Sequence, residues 1–318
     1  MVNKVLQMGG NIHPLIIDAS YNDGLGLCNP SIFNDNGELI VNVRSVNYTL
    51  LHSENKIIYG NRYGPLAYIN PENDVKLKTR NWRVWLDDNF NINRWNIINT
   101  SQFDITPVWE FYGLEDARIV KWNERLYWTG VRRDVKTDGQ GRMELSMIDE
   151  KCNEVSRKRI EAPDPTSYCE KNWMPIIDLP YHYIKWTNPL EIVKVDVETN
   201  TSEVVISKPQ IGELNDLRGG TQVIPFGKGH LCIIHQCKLW YNAAENRNVL
   251  YTHRWVLFDK DWNIEHISNS FSFMNGDVEF ATGMCEYEGE LLITFGFQDN
   301  CAFLLRIPLN KVKELIYE

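Results

Sequence analysis

Short apolar runs separated by turn residues dominate the chain. Glu38-Leu-Ile-Val-Asn-Val-Arg44, Leu126-Tyr-Trp-Thr-Gly-Val131 and Leu291-Leu-Ile-Thr-Phe295 are rich in β-branched and aromatic residues, and turn pairs such as Asn36-Gly37 and Glu288-Gly289 bound them. That punctuation predicts β-strands joined by tight turns. Helical periodicity is nearly absent. The best helical candidate, Leu309 to Tyr317, is short.

The strands share a frame. Leu39, Leu126, Tyr183, Leu231 and Leu291 each open an apolar run, at intervals of 87, 57, 48 and 60 residues. About ten residues before each lies a polar motif: Asn29-Pro-Ser-Ile32, Glu115-Asp-Ala-Arg118, Lys171-Asn-Trp173, Arg218-Gly-Gly-Thr-Gln222 and Glu279-Phe-Ala-Thr-Gly283. A few residues after each lies another polar group: Arg44, Arg132, Lys185, His235 and Asp299. Five units of one pattern, each long enough for four strands, predict a single all-β domain, a five-bladed β-propeller over 1–318. The first interval is the longest, which places an insertion in blade one around 53–111. No Pro/Ser/Gly-rich linker divides the chain.

In such a fold the ends of the inner strands converge on one mouth. Asn29, Asp116, Lys171, Arg218 and Glu279 would then face a common axis. Polar groups at that density need a partner, and the choice lies between ordered water and a polar ligand.

Composition narrows the classes. The chain has 318 residues, with 33 basic against 42 acidic side chains and a net charge of -9, which argues against a general nucleic-acid binder. No stretch approaches the roughly 18 apolar residues of a membrane span, and the first residues lack a secretory h-region. The seven cysteines include no C-x-x-C pair and read as reduced thiols of a cytoplasmic protein. Eleven Trp and 14 Tyr supply faces on which sugar rings could stack, although most aromatics in any protein are core. No zinc or dinucleotide motif is present, so neither a metal nor an organic cofactor is expected.

In an extended strand, residues two apart share a face. Asp116 could therefore simply pair with Arg118, and Glu115 would point to the other side. Arg44, Arg132, Arg133, Lys171, Lys185 and Arg218 form a pool of cations that could hold one phosphate or diphosphate. Surface solvation is the plain alternative, above all for Arg132-Arg133. His235 lies among Ile233, Ile234 and Cys237, where a histidine is as readily core as functional.

The motifs, in this order, resemble glycoside hydrolase family 130, whose members are five-bladed propellers. Most are inverting phosphorylases of β-mannosides and some are hydrolases. The resemblance runs from Asn29-Pro30 to Asp299. Its most specific element is Gly113-Leu-Glu-Asp-Ala-Arg-Ile119, similar to the family's G-x-E-D-P-R segment with Ala117 in place of proline. It implies Asp116 as general acid. It implies Asn29, Arg44 and Asp299 as substrate-binding, and Lys171, His235 and Tyr251 as phosphate-binding; beside them, the motif positions and the cation pool add Asn172 and Trp173 as substrate-binding candidates and Arg44 and Arg218 as phosphate-binding candidates. Glu279 and Asp299 are the candidates for a second carboxylate, which hydrolysis would need and phosphorolysis would not. Tyr183-Ile-Lys-Trp186 lacks the family's usual His-Arg pair.

The expected activity is thus a mannoside phosphorylase with inorganic phosphate as co-substrate. The alternatives are a hydrolase of the same fold, a mannosyltransferase using a nucleotide sugar, and a non-catalytic glycan-binding propeller. The expected partner is an oligosaccharide or sugar, with no nucleic acid and no membrane, and a homo-oligomer is left open.

Overall fold

The computed structural model describes residues 1–50, 68–69, 76–241 and 247–318. Four antiparallel four-stranded sheets and one five-stranded sheet, in which the short strand Phe111–Tyr112 runs parallel to Leu77–Leu86 beside four antiparallel strands, are arranged as the blades of a propeller. Blade one contains Gly26–Asp35, Glu38–Val46, Leu77–Leu86 and Ile92–Ile97, from the axis outward. Blade two contains Glu115–Trp122, Arg125–Arg132, Arg142–Ile148 and Glu154–Arg159. Blade three runs from Met174–Pro175 through His182–Trp186 and Leu190–Asp196 to Thr201–Lys208. Blade four runs from Ile224–Phe226 through Gly229–Tyr241 and Arg247–Phe258 to Ile264–Ile267. Blade five comprises Glu279–Tyr287, Glu290–Phe297 and Cys301–Pro308, and its outermost strand is the N-terminal Asn11–Pro14. The chain's first strand thereby completes its last blade and closes the ring, with Asn11 opposite Arg306.

The five marker residues all fall on the second strand of a blade, and the reason is burial on both faces. Leu231 and Ile233 pack toward blade five against Ala281, Met284, Leu291 and Ile293. Their neighbours Cys232 and Ile234 pack toward blade three against Ile184 and Ile192. Likewise Leu292 turns to blade one while Leu291 and Ile293 turn to blade four. A strand sandwiched between two blades needs apolar residues at every position, so it reads as a continuous run rather than an alternation. Phe33, Ile40 and Trp85 against Ile119, Trp128 and Ile148 join blades one and two. Val120, Tyr127 and Met143 against Trp173, Tyr183 and Val193 join two and three. Each such fully buried side chain contributes about 1.5–3 kcal/mol.

At the end away from the mouth, two-residue turns recur. Asn36-Gly37, Asn123-Glu124 and Glu288-Gly289 all have positive φ at both positions, as a hairpin turn matched to strand twist requires. The anticipated C-terminal helix spans Leu309–Ile316, and a short helix, Val2–Gln7, precedes the closing strand.

The stretch 53–111, assigned above to an insertion, holds the two outer strands of blade one. Trp82, Val84 and Leu86 are buried in its core, so 77–97 belongs to the regular blade. Positions 53–67 and 70–75 lie outside the described residues. All seven thiols are unpaired. Among the described residues no helix is long and apolar enough to cross a membrane.

Candidate active site

The polar motifs of blades one and two carry the same irregularity. In blade one Cys28 pairs with Arg44 and Ser31 with Asn42, leaving Asn29 and Pro30 opposite Val43 alone. In blade two Glu115 pairs with Val131 and Arg118 with Thr129, leaving Asp116 and Ala117 opposite Gly130. The extra residue makes a bulge, and Asn29 and Asp116 take left-handed backbone there, with φ of 44° and 50°. Asn and Asp tolerate that region better than other side chains. Gly130 is needed as well, because a Cβ on it would lie 2.3 Å from the Glu115 carbonyl.

The two bulges bring the equivalent side chains together. Asn29 Nδ2 donates to Asp116 Oδ1 at 2.7 Å, and Arg44 Nη1 donates to the same oxygen at 2.7 Å. Arg44 is almost fully buried, and four of its five N–H groups donate to described residues. Its Nε and Nη2 donate to Thr79 Oγ1 at 3.1 and 3.0 Å, and Nη2 also donates to Tyr48 Oη. Burial raises the Asp116 carboxyl's pKa, but Arg44, Arg118, the Asn29 hydrogen bond and Lys171 together outweigh it, so the group titrates below its ordinary range. In the free site Asp116 is a carboxylate.

Glu115 is on the same side, contrary to strict alternation. Its Oε2 lies 3.8 Å from Arg44 Nη2, and its Oε1 is buried with no partner among the described residues. The bulge explains this, because an extra residue breaks the period of two. Burial, ahead of the attraction of Arg44, raises the Glu115 pKa. Arg118 does not pair with the Asp116 carboxylate. Its Nη1 donates to the Asp116 backbone carbonyl at 2.6 Å and its Nε to the Gly220 carbonyl at 2.9 Å, which ties blade two to blade four beneath the site. Burial lowers its pKa to about 10.

Asp299 enters from blade five on left-handed backbone with φ 50°. It lies in the field of Arg44, Asp116 and Glu115. Burial, reinforced by the two carboxylates and only partly countered by Arg44, raises its pKa to about 6.

The other expected site residues divide. Lys171 is exposed and within electrostatic reach of Glu115 and Asp116. Asn172 is buried with φ 60°, and its Oδ1 has no partner among the described residues. Arg218 is partly exposed, its Nε donating to Asp216 Oδ1 at 2.8 Å. His235 is buried beneath it, stacked on Tyr251 with centroids 5.0 Å apart. The His235 Nδ1 sits 2.9 Å from the Gly219 carbonyl, so it must carry the proton. Burial, then His253 and Arg218, keep the ring neutral by lowering its pKa far below the usual range. A neutral imidazole with its N–H committed offers only a lone pair, which suits a sugar hydroxyl and not a phosphate oxygen.

Two expectations are corrected. Glu279 does not face Asp116. Its Oε1 accepts the backbone N–H groups of Met274 at 2.8 Å and Gly276 at 2.7 Å, and its Oε2 accepts that of Phe273, so it fastens a loop of blade five. Trp173 is 1% exposed, packs on Tyr183 and donates to Glu170 at 2.9 Å, so it is core. Sequence reasoning missed Thr79 and Tyr48, which hold Arg44 in place. Thr79 comes from the third strand of the blade, where no motif signals it.

Among the described residues a cavity of about 840 Å³ also lies between blades one and two. Thr79, Trp128, Arg132, Ser146 and Glu154 line it, and Asp116 does not. Arg132 there is bonded to Glu144 at 2.6 Å and to Asp134 at 3.4 Å, away from the mouth. No cluster of three or more His, Cys, Asp or Glu among the described residues could hold a metal ion.

No protein-family model and no curated protein sequence matches the chain. Solved structures do match in fold. A β-1,2-mannobiose phosphorylase from Listeria innocua, in complex with β-1,2-mannobiose, aligns over 92% of each chain at 14% identity and a TM-score of 0.53. A mannose phosphorylase from Leishmania mexicana, in complex with phosphate, aligns over 100% of this chain and 94% of its own at 12% identity and a TM-score of 0.55. A glycosyl hydrolase from Bacteroides ovatus aligns over 89% of this chain and 84% of its own at 12% identity and a TM-score of 0.55. The likeness is one of fold, and it covers the whole propeller.

Proposed function

We propose that this protein cleaves or forms a mannoside bond by inverting single displacement, with inorganic phosphate as co-substrate. The observation that carries the reading is the Arg44–Asp116–Asn29 constellation, built by two matched bulges at the mouth of a propeller whose fold mannoside phosphorylases share. The bulges hold side chains in a costly backbone state, as functional sites commonly do.

Roles follow from the geometry. Asp116, which the resemblance implies as general acid, is a carboxylate in the free site; there it presents a fixed negative charge that steadies the oxocarbenium-like transition state and accepts a hydrogen bond from a sugar hydroxyl. Lys171 and Arg218, the more exposed cations of the expected phosphate set, hold the phosphate at the rim. His235 and Tyr251 sit beneath Arg218, where the imidazole accepts from a sugar hydroxyl. Hydrolysis is the second reading, favoured by one observation: Asp299 lies in the same electrostatic field as Asp116, and a second carboxylate is what activating a water requires.

Incubating the protein with β-mannobioses, with and without phosphate, tests the reading. Phosphate-dependent release of mannose 1-phosphate supports it. Mannose release that ignores phosphate selects the hydrolase. No turnover, together with thermal stabilisation by GDP-mannose and not by phosphate, selects the transferase. Sugar binding without any turnover selects the non-catalytic propeller.

A further inference from the structure

The third strand of blade one, Leu77–Leu86, reaches both sides of the Arg44–Asp116 ion pair. On the cation's side stands Thr79, which is buried and diagonal to Arg44: Thr79 pairs with Val46, and Arg44 with Asn81. Its Oγ1 accepts two N–H groups of the guanidinium, Nε at 3.1 Å and Nη2 at 3.0 Å. A guanidinium is planar and carries its donors in a fixed fork, so an acceptor that holds two of them fixes where the others point. With Nε and Nη2 held, Nη1 meets Asp116 Oδ1 at 2.7 Å. Threonine suits the place, because its branched Cβ restricts χ1 and keeps the oxygen still.

On the anion's side the same strand grips the segment that leads into Asp116. Leu77 and Lys78 pair in parallel with Phe111 and Tyr112. The next residue, Gly113, has φ 97° and passes so close to Thr79 that a Cβ on it would lie 2.4 Å from the Thr79 carbonyl oxygen. Asn81 Nδ2 then donates to the Leu114 carbonyl at 2.9 Å. One stretch, 77–81, thus sets the direction of Arg44 and the approach of the chain to Asp116, and Thr79 takes part in both.

We propose that Thr79 is a positioning residue of this site: it sets the plane of the Arg44 guanidinium against Asp116 and acts through Arg44 rather than on the substrate. Its effect on turnover rests on the mannoside reading; its effect on Arg44 does not. Without the Oγ1 acceptor two buried N–H groups lose their partner, and the guanidinium turns to find another.

Two variants separate the acceptor from the shape. Thr79→Val keeps the branched shape and removes the acceptor, whereas Thr79→Ser keeps the acceptor. The first readout needs no substrate. In protein labelled with ¹⁵N at arginine, the Arg44 Nε–H resonance is identified by its loss in Arg44→Lys. Its exchange with solvent should be about tenfold faster in Thr79→Val than in the parent, the usual worth of one hydrogen bond, and close to the parent's in Thr79→Ser. Equal exchange in Thr79→Val and the parent overturns the proposal, whatever the protein's activity. The second readout is turnover of β-mannobiose with phosphate. Thr79→Val should lower kcat about 10²-fold, as a misplacement of about 1 Å does, with both KM values within a few-fold of the parent's. Thr79→Ser should restore most of kcat. Full kcat in folded Thr79→Val, or an equal loss in the two variants, overturns the proposal. A parent without turnover defeats the mannoside reading instead, and the exchange measurement still decides whether Thr79 holds Arg44. If the amide spectrum shows that Thr79→Val does not fold, Thr79→Ala takes its place with the same expectations.

Discussion

Two buried ion clusters lie side by side in blades one and two, and they differ in charge balance. At the mouth Arg44 stands against Asp116, Glu115 and Asp299, and one Glu115 oxygen has no partner among the described residues. In the cavity between the blades, Arg132, Arg157 and Arg159 stand against Glu144, Glu154 and Asp134. Arg157 binds both Glu154 oxygens, and Ser146 donates to one of them at 2.6 Å. The residue types and the burial are alike. The balanced cluster pairs most of its charges internally, although Asp134 Oδ1 has no hydrogen-bond partner among the described residues, and it fixes the packing of blade two. The mouth cluster has a single cation in direct contact with its carboxylates, left-handed backbone and open rim cations, which makes it the place where chemistry is available. Burial alone does not mark a site; uncompensated charge does.

The largest expected effects come from removing each cation in turn. Arg44→Met should leave three carboxyls without their cation, costing roughly 3–5 kcal/mol of stability and all measurable turnover. Arg132→Met should cost a similar amount in denaturant unfolding and yet leave the KM for a mannoside within a few-fold of the parent. If Arg132→Met abolished turnover in a folded protein, the contrast between the clusters would fail.

A smaller effect tests the excess acid. With its pKa raised to about 6, Asp299 binds its proton more tightly in the native state than in the unfolded chain. Its charge therefore costs nothing below the unfolded pKa near 4, and the cost grows until pH passes about 6. Asp299→Asn should match the parent's stability at pH 4 and exceed it by about 3 kcal/mol at pH 8. Equal stabilities across that range in urea titrations would show that Asp299 is not under strain. The smallest effect concerns the rim. Lys171 is exposed, so Lys171→Met should leave stability within about 0.5 kcal/mol. It should raise the KM for phosphate roughly tenfold, the weight of one lost charge-assisted hydrogen bond. An unchanged phosphate KM would remove Lys171 from that role.

The fold was legible in the chain because a blade's second strand is buried on both faces. Leu231-Cys-Ile-Ile234 and Leu291-Leu-Ile293 announce themselves as unbroken apolar runs. The partnership of Asn29 and Asp116 was legible as repeat equivalence. Side-chain direction was not. The bulge at Asp116-Ala117 turned Glu115 toward Arg44, against simple alternation. Arg44 and Arg132 share a charge but not a position: Arg44 lies five residues after Leu39 and Arg132 six after Leu126, and the register matches Arg44 with Val131. One residue of offset puts Arg132 on the opposite face. The role of Glu279 depends on three backbone N–H groups of a loop, which no motif encodes.

The central claim is that the Arg44–Asp116 cluster carries out phosphate-dependent cleavage of a mannoside. The direct measurement is mannose 1-phosphate release from β-mannobiose and phosphate, by the parent protein and by Asp116→Asn side by side, with folding verified by circular dichroism. The account predicts release by the parent and a loss of at least about 10³-fold in the folded variant, as removal of a fixed transition-state charge implies. A folded Asp116→Asn protein that works at the full rate would contradict it.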